Sequence, residues 1–188
     1  DYSTNEGMKL FFQSTTAIKP IYDGTETSLK MFLKAISAKA KTFGWDQTIL
    51  RVNADSGTAI DLLQHYGALT IDNVRAGATT YIAPATRDAQ SSAQLATCLS
   101  SSIGESTLLK LLLRANEYTV KSVEDGPCML RTLISVVSVE TRATIGSVRT
   151  ALKNLPSLMH EVDSDITEFN TRVGHYIDKL NANDHTCE

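Results

Sequence analysis

Scarcity is the first information in this chain: one tryptophan, four prolines and three cysteines in 188 residues. Cys98, Cys128 and Cys187 stand far apart and form no Cys-x-x-Cys pair or Cys/His cluster, which argues against a disulfide framework and a zinc site. No apolar run is long enough to span a bilayer. A basic surplus is missing too, because 18 Lys and Arg face 21 Asp and Glu for a formal charge of −3. Strong nucleic-acid binding through the chain's own surface usually needs that surplus. The phosphate-cradling patterns GxGxxG and GxxxxGKS/T do not occur, and neither does the nucleophile elbow GxSxG. His65, His160, His175 and His185 are scattered over separate segments. The polar start, Asp1–Gly7, lacks the basic-then-apolar order of a signal peptide. These absences lead to the expectation of a soluble, cytoplasmic protein that is not an enzyme, with no cofactor, no metal, no membrane contact and no small-molecule substrate.

What is present is helical periodicity. Hydrophobic residues make up 42% and charged residues 21%, a globular balance with enough apolar material for a core. The most regular stripe is Val162, Ile166, Phe169, Val173, Tyr176, Ile177 and Leu180, spaced by fours and threes. Asp165 with Glu168 three residues later has the form of a capping box, and Asp163 adds charge suited to a helix start. We take this stripe as the organising element of the chain. Leu29, Phe32, Leu33, Ile36, Ala40 and Phe43 predict a second helix, opened by Thr25 or Thr27, closed by Gly44, with Trp45 folding back. Further helices are expected over 57–66, from Thr70 through Tyr81 and Ile82 to Pro84, over 87–102, and over 105–115. The last carries Leu108, Leu109, Leu111, Leu112 and Leu113 and is expected to be central. Tyr118–Lys121 reads as a short extended piece. Helices from about 127 and 142 complete the set, the latter stopped by Pro156.

The fold class is therefore all-α. Residues 1–19 read as a flexible tail or docking arm, 20–141 as a larger helical lobe and 142–188 as a smaller one, with a hinge near Glu140–Thr144. Acids at a helix start serve the cap more often than a cation, so Asp163, Asp165 and Glu168 are assigned to the helix. Lys30, Lys34 and Lys41 share one helix face opposite Phe32 and Ile36, a solvated face that is also a candidate weak polyanion contact.

The order of features resembles the Gag polyproteins of copia-type LTR retrotransposons, as found in diatom-type algal genomes. Pro20-Ile21-Tyr22-Asp23-Gly24 followed by Leu29, Phe32 and Leu33 is similar to the family's F-D-G turn and first helix, with Tyr22 in place of Phe. Ala93-Gln94-Leu95, Cys98-Leu99 and Ile103 resemble its middle helix. Gly126-Pro127 with Leu130-Arg131-Thr132-Leu133 resembles a later one, without that helix's Trp. Arg149, Leu152-Lys153-Asn154-Leu155 and the stripe from Ile166 to Leu180 are similar to the closing segment. The resemblance spans residues 20–183. It implies a two-lobe retroviral-capsid-like helical bundle that self-assembles into a shell around element RNA, with the chain stopping inside the second lobe. No Cys/His knuckle follows, so RNA contact by this segment alone is expected to be weak. Ile166, Phe169, Val173 and Ile177 are the expected assembly residues. The alternative is a domesticated Gag-like binding module that recognises a protein or peptide partner.

Overall fold

The computed structural model describes residues 4–53, 56–78, 86–137 and 142–182, and among these the chain is mostly helical. Helix α1 (Asn5–Thr15) is capped by Thr4, whose hydroxyl accepts from the Gly7 N–H at 3.0 Å. The stretch read from the sequence as a tail or docking arm thus carries a helix over Asn5–Thr15. The segment packs along α4 (Arg87–Ser102), where Gln94 donates to the Ser14 hydroxyl at 2.9 Å and Ser101 donates to the Thr15 carbonyl at 3.0 Å. Polar anchoring hid this contact, because α1 turns Met8, Leu10 and Phe12 outward and buries Ser14 and Thr15 instead.

Helix α2 (Glu26–Phe43) forms as its spacing predicts, burying Leu29, Phe32, Leu33, Ile36 and Ala40. Gly44 closes it at φ 70°, and the buried Trp45 follows with its N–H on the Ala40 carbonyl at 3.0 Å. The Tyr22-Asp23-Gly24 turn before α2 is tightly built. Tyr22 stacks on Phe32 with ring centroids 4.5 Å apart, and Asp23 accepts from Ser28 at 2.6 Å and Thr25 N–H at 3.0 Å.

The helix expected over 57–66 is instead a hairpin. Strand β1 (Leu50–Val52) pairs antiparallel with β2 (Ala59–Asp61), Arg51 opposite Ile60, and Gly57 takes φ 66° in the connection. Helix α3 (Ile71–Ala76) is short, opened by a Thr70–Asn73 capping box. Tyr81, Ile82 and Pro84, expected in its continuation, lie outside the described residues. Helices α5 (Glu105–Leu112) and α6 (Ala115–Tyr118) lead into a two-residue hairpin, β3 (Thr119–Val120) with β4 (Val123–Glu124), turned by Lys121 and Ser122 in left-handed geometry. The extended piece expected at 118–121 is the first arm of that hairpin.

The centre of the molecule is the crossing of α4 and α7 (Gly126–Val137), not the closing stripe. Small residues let the two backbones approach, as the Ala- and Ser-rich composition of α4 suggests. Ala89, Ser92 and Ala96 are buried there, and Gly126 lies so close that an added Cβ would stand 2.3 Å from the Ser92 carbonyl oxygen. Asp125, itself buried, caps α7 by accepting from the Cys128 N–H at 2.9 Å and from the Ser92 hydroxyl at 3.1 Å.

Helix α8 (Arg142–Lys153) ends two residues before α9 (Leu155–Glu161), and α10 (Ile166–Ala182) closes the described chain. Pro156 starts α9 rather than ending a helix, since a proline in the first turn gives up only an N–H that had no partner. Buried residues fall into two clusters among the described residues. One reaches from Tyr22 to Ile134; the other joins Val148 and Leu180, with Leu152 and Tyr176 packed against them. Of the hinge expected near Glu140–Thr144, residues 140 and 141 lie outside the described set and Arg142–Thr144 belong to α8.

Candidate functional site: exposed apolar faces and a cleft between α2 and α10

Helix α10 begins where Asp163 and Ser164 turn the chain in left-handed geometry, φ 49° and 64°. Asp165 caps it, its carboxylate accepting from Thr167 N–H at 2.8 Å and Glu168 N–H at 3.0 Å. Glu168 does not reach back to complete the expected box but pairs with Arg172 at 2.6 Å, one turn along. Of the four expected assembly residues, Ile166 is 66% exposed and Ile177 is 39% exposed, while Phe169 and Val173 are half-buried. The stripe therefore divides. Val162 and Leu180 go into the core, and Ile166 and Ile177 stay in water.

Helix α5 corrects a second expectation. Its leucine-rich sequence suggested a helix covered on several sides, yet only Thr107 and Leu111 are buried. Leu109 is 57% exposed, Leu112 50% and Leu113 86%. Position explains this: α5 lies on the rim, held where Thr107 meets the Tyr22–Gly24 turn. There a Cβ on Gly24, already at φ 77°, would fall 1.8 Å from the Thr107 hydroxyl oxygen. Arg114 anchors the far end, bidentate to Glu117 at 2.7 and 2.8 Å and donating to Ser135 at 2.7 Å. Phe12 on α1, 68% exposed, adds to the apolar surface.

Lys30, Lys34 and Lys41 all face solvent from α2, as the sequence suggests. The structure brings the first two into a cleft of about 650 Å³ between α2 and α10 and leaves Lys41 outside its lining. Leu63, His65 and Tyr66, in the turns after β2, line the same space, as do Asn170, Thr171, Gly174 and His175 of α10. His65 and His175, which read as unrelated in the sequence, thus share one cavity. Nothing in the spacing signals this, because the walls come from segments more than a hundred residues apart.

The two cysteines among the described residues, Cys98 and Cys128, are both buried. Burial pushes the Cys98 thiol up, and burial together with the nearby Asp125 carboxylate does the same for Cys128. Among the described residues, no set of three or more His, Cys, Asp or Glu side chains is placed to hold a metal ion. No helix among them is long and apolar enough to cross a membrane. Comparison of the chain with protein-family models, with curated proteins and with solved structures returns no match.

Proposed function

We propose that this chain is a structural, non-catalytic capsid-like protein of an LTR retroelement, a two-lobed helical bundle that associates with copies of itself into a shell. The observation that carries the reading is the apolar surface left in water on two separate helices, Leu109 and Leu112 on α5 with Leu113 directly after it, and Ile166 and Ile177 on α10. Scattered exposed leucines are ordinary; three within five residues at the end of one helix make a patch that suits a partner. Two different faces on one chain suit a head-to-tail contact, which propagates into rings or shells rather than stopping at a pair. The two buried clusters support the division into lobes at about 20–141 and 142–188. Element RNA would be held weakly, through Lys30, Lys34 and Lys41, in keeping with the net charge of −3.

Light scattering on a size-exclusion column, run across protein and salt concentration with negative-stain images of each peak, tests this. The expected result is mass that rises with concentration or salt into closed particles. Leu113→Asp and Phe169→Asp should each lower that mass. Burying one leucine contributes about 1.5–3 kcal/mol, so losing it at a repeated contact weakens each contact by roughly ten- to a hundredfold. A strict monomer at every condition refutes shell formation.

A further inference from the structure

We propose that the cleft between α2 and α10 is a binding site for a small organic phosphate, a phosphate group carried on an apolar or aromatic body. The sequence pointed away from any small-molecule partner; the geometry gives a reason to expect one, as a bound ligand rather than as a substrate. This inference is independent of shell assembly.

Three observations converge. The volume, about 650 Å³, suits a small organic molecule, and such sites favour the junction between separately packed parts of a chain. Here one wall belongs to the main buried cluster through Leu29 and Leu33, and the other is α10, whose Leu180 and Tyr176 belong to the second.

The second observation is charge. Lys30 and Lys34 lie one turn apart on the same wall, Glu26 stands one turn before Lys30 on that helix, and two imidazoles, His65 and His175, line the same space; Lys30, Glu26 and His65 each already have a partner. Lys34 forms no ion pair or hydrogen bond with another described residue. Two ammonium groups at this spacing make a locus for a compact anion, and the Asn170 amide supplies a neutral donor from across the gap, the Thr171 hydroxyl being already donated to the Thr167 carbonyl at 2.8 Å. The Tyr66 ring and Leu63 supply surface for the body that carries the phosphate.

The third observation is Gly174. It sits in the middle of α10, where glycine costs about 1 kcal/mol relative to alanine. Its φ is not positive, and a Cβ built there meets nothing within 4 Å, as at Gly146 in α8; what sets Gly174 apart is that it lines the cleft. The space before it is the cleft. Glycine is the residue that lets a ligand lie directly against a backbone.

Isothermal titration calorimetry on the full chain, with thermal unfolding in parallel, tests the site using three probes: adenosine 5′-monophosphate, adenosine and inorganic pyrophosphate. The monophosphate is expected to bind at one site per chain and to raise Tm with concentration, and the other two more weakly. Lys34→Glu replaces an exposed attractive charge with a repulsive one and should weaken the monophosphate about tenfold or more. Gly174→Leu fills the open space and should abolish binding, while its better helix propensity keeps the protein folded. Adenosine binding as well as its monophosphate overturns the assignment. So does retention of binding in both variants, and so does neither heat nor a Tm shift with the monophosphate and pyrophosphate alike.

Discussion

Gly126→Ala adds one methyl group, and the structure places that group where three atoms already are. The new Cβ would stand 2.3 Å from the Ser92 carbonyl oxygen, 2.8 Å from the Leu95 Cβ and 3.0 Å from the Ala96 nitrogen. Ordinary contacts of this kind lie near 3.5–4.0 Å, so α7 would have to retreat from α4 by roughly 1 Å. Two of the three obstacles are backbone atoms of a helix, which no rotamer change can relieve. The retreat also stretches the Gly126 N–H bond to the Ser92 hydroxyl, 2.9 Å, and the Ser92–Asp125 bond, 3.1 Å, in surroundings where Asp125 has no water to turn to. Overpacking alone costs about 1–3 kcal/mol, and weakening a buried polar group adds about 1–3 kcal/mol. A loss of roughly 2–6 kcal/mol is therefore expected, a large share of the ~5–15 kcal/mol that holds a domain together. Urea unfolding followed by far-ultraviolet circular dichroism measures it as a lower midpoint at unchanged slope. The control is Gly146→Ala in α8, where the added Cβ meets nothing within 4 Å; alanine there should stabilise by about 0.5–1 kcal/mol. A Gly126→Ala midpoint within error of the parent would refute the close crossing.

Cys98 and Cys128 should react with a thiol reagent only after unfolding, so a native assay that titrates all three thiols rapidly would contradict their burial. Asp23 is held below the usual carboxylate range by its bonds from the Ser28 hydroxyl and Thr25 N–H. A carboxyl so lowered adds stability that is complete above its unfolded pKa, about 3.9, and is lost as pH falls through the folded value. Asp23→Ala should therefore lower the urea midpoint at pH 7 and lower it less at pH 3; an equal drop at both would exclude a role for the charge. Leu113→Asp should leave the monomer's unfolding free energy within about 0.5 kcal/mol of the parent, because the side chain lies almost wholly in solvent. A larger loss in calorimetry would mean that Leu113 is covered.

Local signals in this chain were readable and relational ones were not. Helix α2 could be foreseen because Leu29, Phe32, Leu33, Ile36 and Ala40 carry both period and burial, and Gly44 has only one easy conformation to offer. The α3 cap at Thr70 and the α4 break at Ile103 and Gly104 are equally local. The 57–66 stretch misled because Ile60, Leu63 and Tyr66 mimic a helical face, whereas strands of three residues are too short to show a period of two. Leucine content could not say what covers α5, and α1 was overlooked because hydroxyls and amides rather than hydrophobic spacing fix it. On α10 the stripe was visible, but its division between Leu180 inside and Ile166 outside depends on where α8 and α9 stop. The α2–α10 cleft had no signature at all, since Lys34 and His175 meet only through the fold.

The bond between Gln94 and Ser14 joins residues 80 positions apart, and it gives the chain a waiting time. On a ribosome adding about 5–20 residues per second, α1 emerges roughly 4–16 seconds before its dock on α4 exists. Throughout that interval Met8, Leu10 and Phe12 are carried on a segment with little else to hold it. In a crowd of nascent copies, one chain's α1 can reach a completed α4 on an older neighbour before its own is made. Exchange of this helix between copies would then be decided by the speed of synthesis and the spacing of ribosomes on the message, and slowing translation before residue 94 would favour the exchanged form.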